Sequence, residues 1–439
     1  MREVAITESK DSAPIDLEAE EVAALRQLGQ AFASRSSWWG RVDENVSDAT
    51  AVRCLPAPGG KWTLRVDNAV GVIATEDLQI SITPKIPSAH LLYLFEESQA
   101  LPRSEEYRAL VESDEPLWKL VVMWFLTATE RVLRRGLVRD YLGTREETAV
   151  IRGRIHGQRT ATNYYRGRLL ADCEFDEFEF DTPLNRVLLS GARVIAGSPV
   201  LDPVLRSRGR HIVGYLDDVA GEIRPTDFDA VVERRTQHYG EAIAMARHVI
   251  RRTGRSLSHG EGSSWSFLIP TPNMVEEGIR RIIRAAIDSV VSVEKRGKQL
   301  SGSMLTVNPD LVFGPSLGVG DVKYKLSGGS WNRADLYEVI AFAAAFRTRS
   351  ATVVTFSLSE EPEIAPTIRI GDFEVSQMVW PASSGLHPRV ARDRLGAQAL
   401  AWASTLVRGE SSGLRSPSDT RRTDEPPSRA LLATAPSPR

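Results

Sequence analysis

The sequence predicts a multidomain α+β protein: a β-rich N-terminal domain, a helical middle and an α/β C-terminal domain. The chain has 439 residues, which is enough for two or three domains with their own cores. Short runs rich in Val, Ile and Thr fill residues 51–86, and helical and strand patterns alternate over residues 264–385. We therefore expect a β-rich domain at 1–100, a helical and mixed domain at 101–260, an α/β domain at 261–385, and a helix followed by a disordered tail at 386–439.

The N-terminal part begins with a polar stretch, residues 1–18, that we expect to be loose. Apolar residues three and four positions apart then predict a helix over 17–32. Four short runs between Ala51 and Ile86 predict the strands of a small β-domain. The last run ends in Pro84-Lys85-Ile86, which we interpret as a strand terminus and a partner-facing turn.

The middle part is predicted to be mainly helical. A helix is expected from Leu101 to about Arg135, and another opens at Pro183 with Thr182 or Asp181 as its N-cap. Residues 148–194 otherwise mix strand and helix patterns. The Gly- and Ser-rich segment at 252–264 is predicted to be a linker.

The C-terminal part is predicted to begin with a helix at 275–291. Strands follow around 304–313 and 320–325, then a helix at 334–347 and a strand at 351–358. From about Val407 the chain is rich in Ser, Pro, Arg and Asp, and this composition predicts disorder.

Bulk composition excludes several classes of protein. The formal net charge is -2, so DNA binding would need local basic patches or a partner. The two cysteines, Cys54 and Cys173, indicate neither a disulfide framework nor a zinc site. No segment has the pattern of a signal peptide or a membrane span, so we expect a cytoplasmic protein. Nine Trp residues, some beside Arg or Lys, fit either core packing or base stacking.

The chemistry-bearing segment is Thr306 to Lys325, where two strand patterns flank the Gly- and Pro-rich loop GPSLGVG and predict a hairpin. Asp310 begins the first strand. Asp321 and Lys323 lie two residues apart in the second strand, so both side chains point to the same face. The hairpin is therefore expected to bring Asp310 and Asp321 together with Lys323 beside them.

This arrangement suits metal-assisted phosphodiester hydrolysis. Carboxylates bind Mg²⁺, which polarises phosphate, while a nearby lysine orients water or stabilises developing charge. The pattern P-D…D-x-K is typical of restriction-endonuclease-like nucleases, the PD-(D/E)xK class. An upstream helix adds Glu276 and Glu277 as further carboxylates. The alternative is a solvated hairpin with surface charges.

Three separated segments resemble McrC, the nuclease subunit of McrBC modification-dependent restriction systems, which act on 5-methylcytosine DNA. They are Gly71 to Ile86, then IRGRI followed by CEFDEFEFDTPLNRVLL at 151–189, and the hairpin with MVEEGI upstream and DLYEVIAFA downstream. The resemblance covers about residues 60–360. It implies an AAA+ GTPase partner, McrB, that reads modified DNA, and motor contact in the N-terminal half, around Gly71 to Ile86.

The resemblance also implies a set of site residues. Asp310, Asp321 and Lys323 would be catalytic, with Glu276 as the helix carboxylate and Glu277 as the fallback. Asp310, Asp321 and Glu276 would hold Mg²⁺. Where the family usually carries Gln, this chain has Glu338.

Arginines in the middle segment have two interpretations: contact with phosphate or structural ion pairs with neighbouring acidic residues. They are Arg152, Arg154 and Arg186.

The leading hypothesis is an Mg²⁺-dependent DNA endonuclease that also stimulates its GTPase partner. One rival is a non-cutting adaptor that activates an NTPase, and another is the nuclease of a different ATP-driven defence complex. The chain contains no Walker-type phosphate-binding loop, so the motor must be a separate protein.

Overall fold

The computed structural model describes residues 2–33, 52–75, 77–101, 116–257 and 263–413. The Trp38-Trp39 pair and the tail from residue 414 lie outside the described residues. The strands are β1 (Arg2–Thr7), β2 (Val52–Pro56), β3 (Trp62–Val66), β4 (Ala69–Ala74), β5 (Leu78–Thr83), β6 (Asp140–Thr148), β7 (Arg154–Ile155), β8 (Ala171–Glu179), β9 (Thr253–Leu257), β10 (Ser263–Pro270), β11 (Val293–Glu294), β12 (Lys298–Gln299), β13 (Thr306–Val307), β14 (Leu311–Phe313), β15 (Gly318–Leu326), β16 (Ser350–Ser357), β17 (Ile368–Ile370) and β18 (Phe373–Pro381). The α-helices are α1 (Ala19–Ala33), α2 (Ser88–Glu97), α3 (Leu117–Arg135), α4 (Gly157–Tyr165), α5 (Pro183–Ala196), α6 (Pro203–Leu216), α7 (Gly240–Arg252), α8 (Pro272–Ile287), α9 (Arg333–Phe346) and α10 (Pro388–Gly413).

The N-terminal sheet has the order β1-β5-β4-β10-β9, and it corrects two expectations. Residues 2–7 are not loose, because they form a strand that pairs in parallel with β5 and buries Ile6. The predicted linker is wrong where it can be assessed, since β9 and β10 both lie in this sheet. The reason is the run Trp265 to Ile269, whose apolar side chains are buried on both faces of the sheet and outweigh the flanking Gly and Ser residues.

Beside this sheet, α1 packs against the β2–β3 hairpin around a second, smaller core. Leu25 and Leu28 of α1 meet Val52 and Leu64 there, as the helical spacing and the strand alternation predict. The predicted helix near 17–32 and the predicted β-domain are both confirmed.

The middle of the chain is a bundle of α3, α5, α6 and α7. The predicted helix from Leu101 is confirmed from Leu117 onward, and residues 102–115 lie outside the described part of the chain. Thr182 is the N-cap of α5, where its hydroxyl accepts a hydrogen bond from the Asn185 amide at 3.3 Å.

A three-stranded sheet, β6-β8-β7, carries large apolar side chains into solvent. The Tyr141 and Phe178 rings contact each other on it at a tilt of 42°, with centroids 5.0 Å apart, and both side chains are at least half exposed. Tyr164 and Tyr165 of the neighbouring α4 are 67% and 87% exposed. We call this region, residues 140–179, the aromatic sheet.

The C-terminal sheet has the order β11-β14-β15-β16-β18-β17, with β15, β16 and β18 parallel. One face is covered by α9, whose Val339 and Ala343 are fully buried. The other side carries α8 and α10. Helix α10 continues to Gly413, so the expectation of disorder from Val407 is wrong for residues 407–413.

The three parts of the chain share one core. Val72 of the N-terminal sheet, Trp124 of the bundle and Phe356 of the C-terminal sheet belong to the same buried cluster. The fold is therefore a mixed α/β multidomain architecture whose parts are in direct contact. No helix in the described ranges is long and apolar enough to cross a membrane.

Candidate active site

The predicted hairpin is confirmed. Strands β14 and β15 pair antiparallel, with Leu311 opposite Gly320 and Phe313 opposite Gly318. Asp310 lies immediately before β14, and its Oδ2 accepts a hydrogen bond from the Val322 amide at 3.0 Å. This bond fixes the Asp310 carboxylate against the strand that carries Asp321.

Asp321 and Lys323 share one face of β15, as their spacing predicts. The Lys323 Nζ lies 2.5 Å from Asp321 Oδ2 and donates to Glu338 Oε2 of α9 at 2.6 Å. Val322, between them, faces the opposite way into the main core. The position where the family usually carries Gln is therefore occupied by a carboxylate that binds the lysine.

Glu276 reaches the site from α8. Lys295 Nζ donates to Glu276 Oε2 at 3.2 Å and to Asp310 Oδ1 at 3.0 Å, so it links the helix to the hairpin. Glu277 instead forms ion pairs with Arg280 and Arg281 on its own helix. Glu276, and not the fallback Glu277, is the helix carboxylate beside Asp310.

Two basic residues at the site were not predicted. Arg280 is buried and donates from Nη1 to the Asp310 carbonyl at 2.9 Å. Arg280 lies four residues after Glu276 on α8, and residues with this spacing share a helix face. The spacing therefore could have predicted that Arg280 faces the site. Lys295 directly follows β11 and precedes the hairpin. No sequence spacing indicates that it lies beside Glu276.

Crowded carboxylates give the site unusual electrostatics. Burial and the nearby Asp310 raise the pKa of Asp321 to about 7. The same two causes raise the pKa of Glu276 to about 7. Burial lowers the pKa of Lys323, but Asp321 and Glu338 more than offset this and leave that pKa above its ordinary value. An added cation would lower the pKa of both carboxyl groups and so favour their ionised forms.

The site opens into a cleft of about 1130 Å³ that has two walls. One wall is the hairpin with α8 and α9. The other comes from the N-terminal domain and includes Glu8, Lys10, Arg65 and Lys85. The Pro84-Lys85-Ile86 turn does follow β5, as expected, but the Lys85 side chain lies beside β15, with its Nζ 3.9 Å from the centre of the Tyr324 ring.

The donor set at the site fits a hard divalent cation. Asp310, Asp321 and Glu276 offer oxygen atoms only, and burial beside Asp310 disfavours the ionised forms of Asp321 and Glu276 unless positive charge is added. In the described part of the chain, no three His, Cys, Asp or Glu side chains are already gathered as a complete ligand set. Mg²⁺ commonly binds through one or two carboxylates and keeps several waters, so a complete protein cage is not required.

A family model for McrBC 5-methylcytosine restriction system components matches residues 64–356, well over half of the chain. The chain belongs to this McrBC family. Its fold resembles a chain of the refined half-complex from a tetradecameric assembly of Thermococcus gammatolerans McrB AAA+ hexamers with bound McrC. The TM-score is 0.65 at 14% identity, and the match covers 90% of this chain and 100% of that chain. A chain of the cryo-EM structure of the Thermococcus gammatolerans McrBC complex matches with a TM-score of 0.47 at 15% identity, covering 65% and 88% of the two chains. No curated protein sequence matches significantly.

Of the three middle-segment arginines in this McrBC family member, Arg186 makes the structural ion pair, while Arg152 and Arg154 are exposed. Arg186 is buried and makes a bidentate ion pair with Asp227, with contacts of 2.8 and 2.9 Å. Arg152 lies over the Phe175 ring, and Arg154 is exposed. Asp335, at the start of α9, accepts from Lys325 Nζ at 2.7 Å.

The described tryptophans favour the core interpretation. Trp118, Trp124, Trp265 and Trp380 are buried.

Proposed function

We propose that this McrBC family member is a DNA endonuclease subunit of the PD-(D/E)xK class that depends on Mg²⁺. The observation that carries the proposal is the convergence of Asp310, Asp321, Lys323 and Glu276. They come from a hairpin and a separate helix, yet they line one cleft. In a hairpin with incidental surface charges, the carboxyl groups would be exposed. Here Asp321 is buried, Glu276 is partly buried and the pKa values of both are raised, which is typical of functional sites.

The chain's own residues have distinct tasks in this proposal. Asp310 and Asp321, with Glu276, would hold the metal ion. When bound, Mg²⁺ supplies Lewis-acid polarisation of the phosphate and lowers the pKa of a coordinated water. Lys323 is held between Asp321 and Glu338 and presents positive charge where the scissile phosphate would lie. Lys295 and Arg280 keep Asp310 in place from its two sides.

We further propose that the partner is a separate AAA+ GTPase motor that recognises modified DNA, because the similar structure is an assembly of McrB AAA+ hexamers with bound McrC. In the segment Gly71 to Ile86, where the resemblance implies motor contact, β4 is buried along its whole length and alternate residues of β5 are buried. The aromatic sheet is better suited to contact a protein, because its large apolar side chains are exposed together.

The test of the nuclease proposal is DNA cleavage by the chain with its cognate motor, GTP, Mg²⁺ and methylated DNA. Asp321→Asn should abolish cutting because it removes one metal-holding carboxylate, and loss of such a group costs several kcal/mol of transition-state stabilisation. Asp335→Asn is the matched control, since Asp335 is equally buried but pairs with Lys325. It should retain cutting.

Two results would contradict the proposal. Cutting by Asp321→Asn at the wild-type rate would show that the assigned site is not catalytic. A wild-type chain that stimulates the motor's GTPase but leaves DNA intact would favour the adaptor.

A further inference from the structure

A buried carboxylate lies where the N-terminal sheet meets the candidate active site. Glu8 follows β1 directly, and its amide donates to the Thr83 carbonyl at the end of β5, at 2.8 Å. Glu8 is 0% exposed, although it lines the inner end of the cleft. A fully buried carboxyl group is costly unless its contacts compensate for lost hydration, so those contacts are informative.

One contact of Glu8 is with the helix that carries Glu276. The Thr271 hydroxyl donates to Glu8 Oε1, and Thr271 is the N-cap residue of α8. The Thr271 amide also donates to the Asn68 carbonyl at 3.0 Å. The start of α8 is therefore attached to the N-terminal domain by two hydrogen bonds, five residues before Glu276.

The other neighbours of Glu8 belong to β15 and the Pro-Lys-Ile turn. Burial raises the pKa of Glu8, while Lys85, Thr271 and the nearby Tyr324 hydroxyl act in the opposite direction. Glu8 Oε2 and the Tyr324 hydroxyl are both buried and make no hydrogen bond within the described residues, so the direct contact with β15 is made by Lys85. Tyr324 directly follows Lys323 in β15 and is itself buried. Lys85 lies over the Tyr324 ring. We call Glu8, Lys85, Thr271 and Tyr324 the interdomain cluster.

The interdomain cluster touches both elements that supply the site. Glu276 comes from α8 and Asp321 with Lys323 from β15, and these elements are about forty residues apart in sequence. Their relative placement depends on packing. Hydrogen bonds are directional, and charge interactions are strong in a buried setting, so together they fix such a placement more narrowly than apolar contact does.

We propose that Glu8 is a positioning residue for the active site, which holds α8 and β15 at their working distance from within the N-terminal domain. This inference rests on the proposed nuclease function. It assigns to the N-terminal domain a part in catalysis that is separate from any contact with the motor. Displacement of a catalytic group by about 1 Å can cost up to a hundredfold in rate, so loss of this support should be visible in cleavage.

The experiment uses the full chain with its motor and compares Glu8→Gln with Glu21→Gln. Glu21 is a matched control because it is a nearly buried carboxylate of the same domain that pairs with Arg2, away from the cleft. For Glu8→Gln we expect a cleavage rate at saturating DNA that is about tenfold to a hundredfold lower. Its KM for DNA and its stimulation of the motor's GTPase should stay within about twofold of wild type. Glu21→Gln should cut normally.

A second pair of variants covers the case in which Glu8→Gln does not fold. Thr271→Val removes only the hydroxyl that Glu8 accepts from, and it should slow cleavage without changing GTPase stimulation. Thr129→Val is its control, since Thr129 is a buried threonine within α3, away from the cleft.

Several outcomes would overturn the inference. One is a wild-type cleavage rate in folded Glu8→Gln or Thr271→Val. Another is that Glu8→Gln and Glu21→Gln both lose cutting in proportion to their loss of thermal stability. That result would indicate a general structural role for Glu8. If the wild-type chain itself does not cut, the proposed function fails first, and the inference falls with it.

Discussion

Asp321 is a residue whose ionised form is unfavourable for folding. Its ordinary pKa is near 3.8, and burial beside Asp310 raises it to about 7 in the folded chain. A carboxyl group with a raised folded-state pKa stabilises the fold only below its unfolded pKa. That contribution is lost as the pH rises from about 4 to about 7. At pH 8 without a divalent cation, the ionised Asp321 therefore destabilises the protein.

This argument gives a prediction about stability that does not depend on cleavage. Asp321→Asn should raise the Tm at pH 8 by about 1–3 °C in a chelating buffer, because it removes a crowded negative charge. The difference should shrink at pH 5, where the wild-type carboxyl group is mostly protonated. Added Mg²⁺ should raise the Tm of the wild type more than that of the variant. Thermal unfolding followed by fluorescence at the two pH values measures all three effects.

The control for this prediction is Asp335→Asn. Asp335 pairs with Lys325 and should lose stability or stay unchanged at pH 8. A lower Tm for Asp321→Asn than for wild type at pH 8 would show that Asp321 contributes favourably to the fold, against the electrostatic argument.

At the scale of elements, the sequence was sufficient wherever the signal is local. The β14–β15 hairpin and the shared face of Asp321 and Lys323 follow from two-residue periodicity and a glycine-rich loop, and both are confirmed. The N-cap of α5 at Thr182 is also a local pattern. Local chemistry of this kind depends little on the rest of the fold.

The sequence was insufficient where placement depends on distant strands. Strand β10 pairs with β4 in the N-terminal sheet although Ala74 and Trp265, which are partners in that pairing, are about 190 residues apart, and no local signal specifies the pairing. The same reason explains Glu8 and Lys85, which lie far from the motif in sequence and reach the cleft only through tertiary packing. Lys295 lies only 15 residues before Asp310, but no periodic pattern relates the two.

Helix α10 illustrates an element whose role depends on packing, and it supplies the second prediction. Leu395 is fully buried where α10 packs beside α8 and β18. Leu395→Ala should cost about 2–5 kcal/mol of unfolding free energy. Leu400→Ala, on the same helix but 41% exposed, should cost much less. Urea unfolding of the two variants provides the comparison. Equal losses would mean that α10 is held by helix propensity and not by its buried face.

At the scale of the whole molecule, the shared core limits which substitutions can separate motor contact from cleavage. The N-terminal sheet, the bundle and the C-terminal sheet contribute to one buried cluster, and no independent linker divides them among the described residues. Ile82 lies in the smaller core of the N-terminal domain, so Ile82→Asp would bury an unpaired charge there and disturb that domain, which is joined to the rest through the shared core. Motor contact and cleavage must therefore be separated with surface or cleft variants that leave the core intact.

The last prediction uses two such variants. Asp310→Ala/Lys323→Ala alters only the cleft, so it should abolish cutting and still stimulate the motor's GTPase. Tyr164→Ala/Tyr165→Ala alters the exposed aromatic sheet and should reduce motor binding and stimulation by about tenfold or more, because exposed aromatic side chains often dominate binding energy. Cleavage should fall with it, since the chain's net charge of -2 gives weak capture of DNA without the motor.

The control is Tyr337→Ala, because Tyr337 is 69% exposed on α9 and lies outside the aromatic sheet. It should leave GTPase stimulation and cutting unchanged, which separates the effect of the surface from that of losing any exposed tyrosine. GTPase rates, motor affinity and cleavage are measured on the same preparations after thermal unfolding confirms the fold. If the cleft variant loses stimulation while folded, the cleft itself contacts the motor. If the aromatic-sheet variant stimulates normally, motor contact lies elsewhere on the chain.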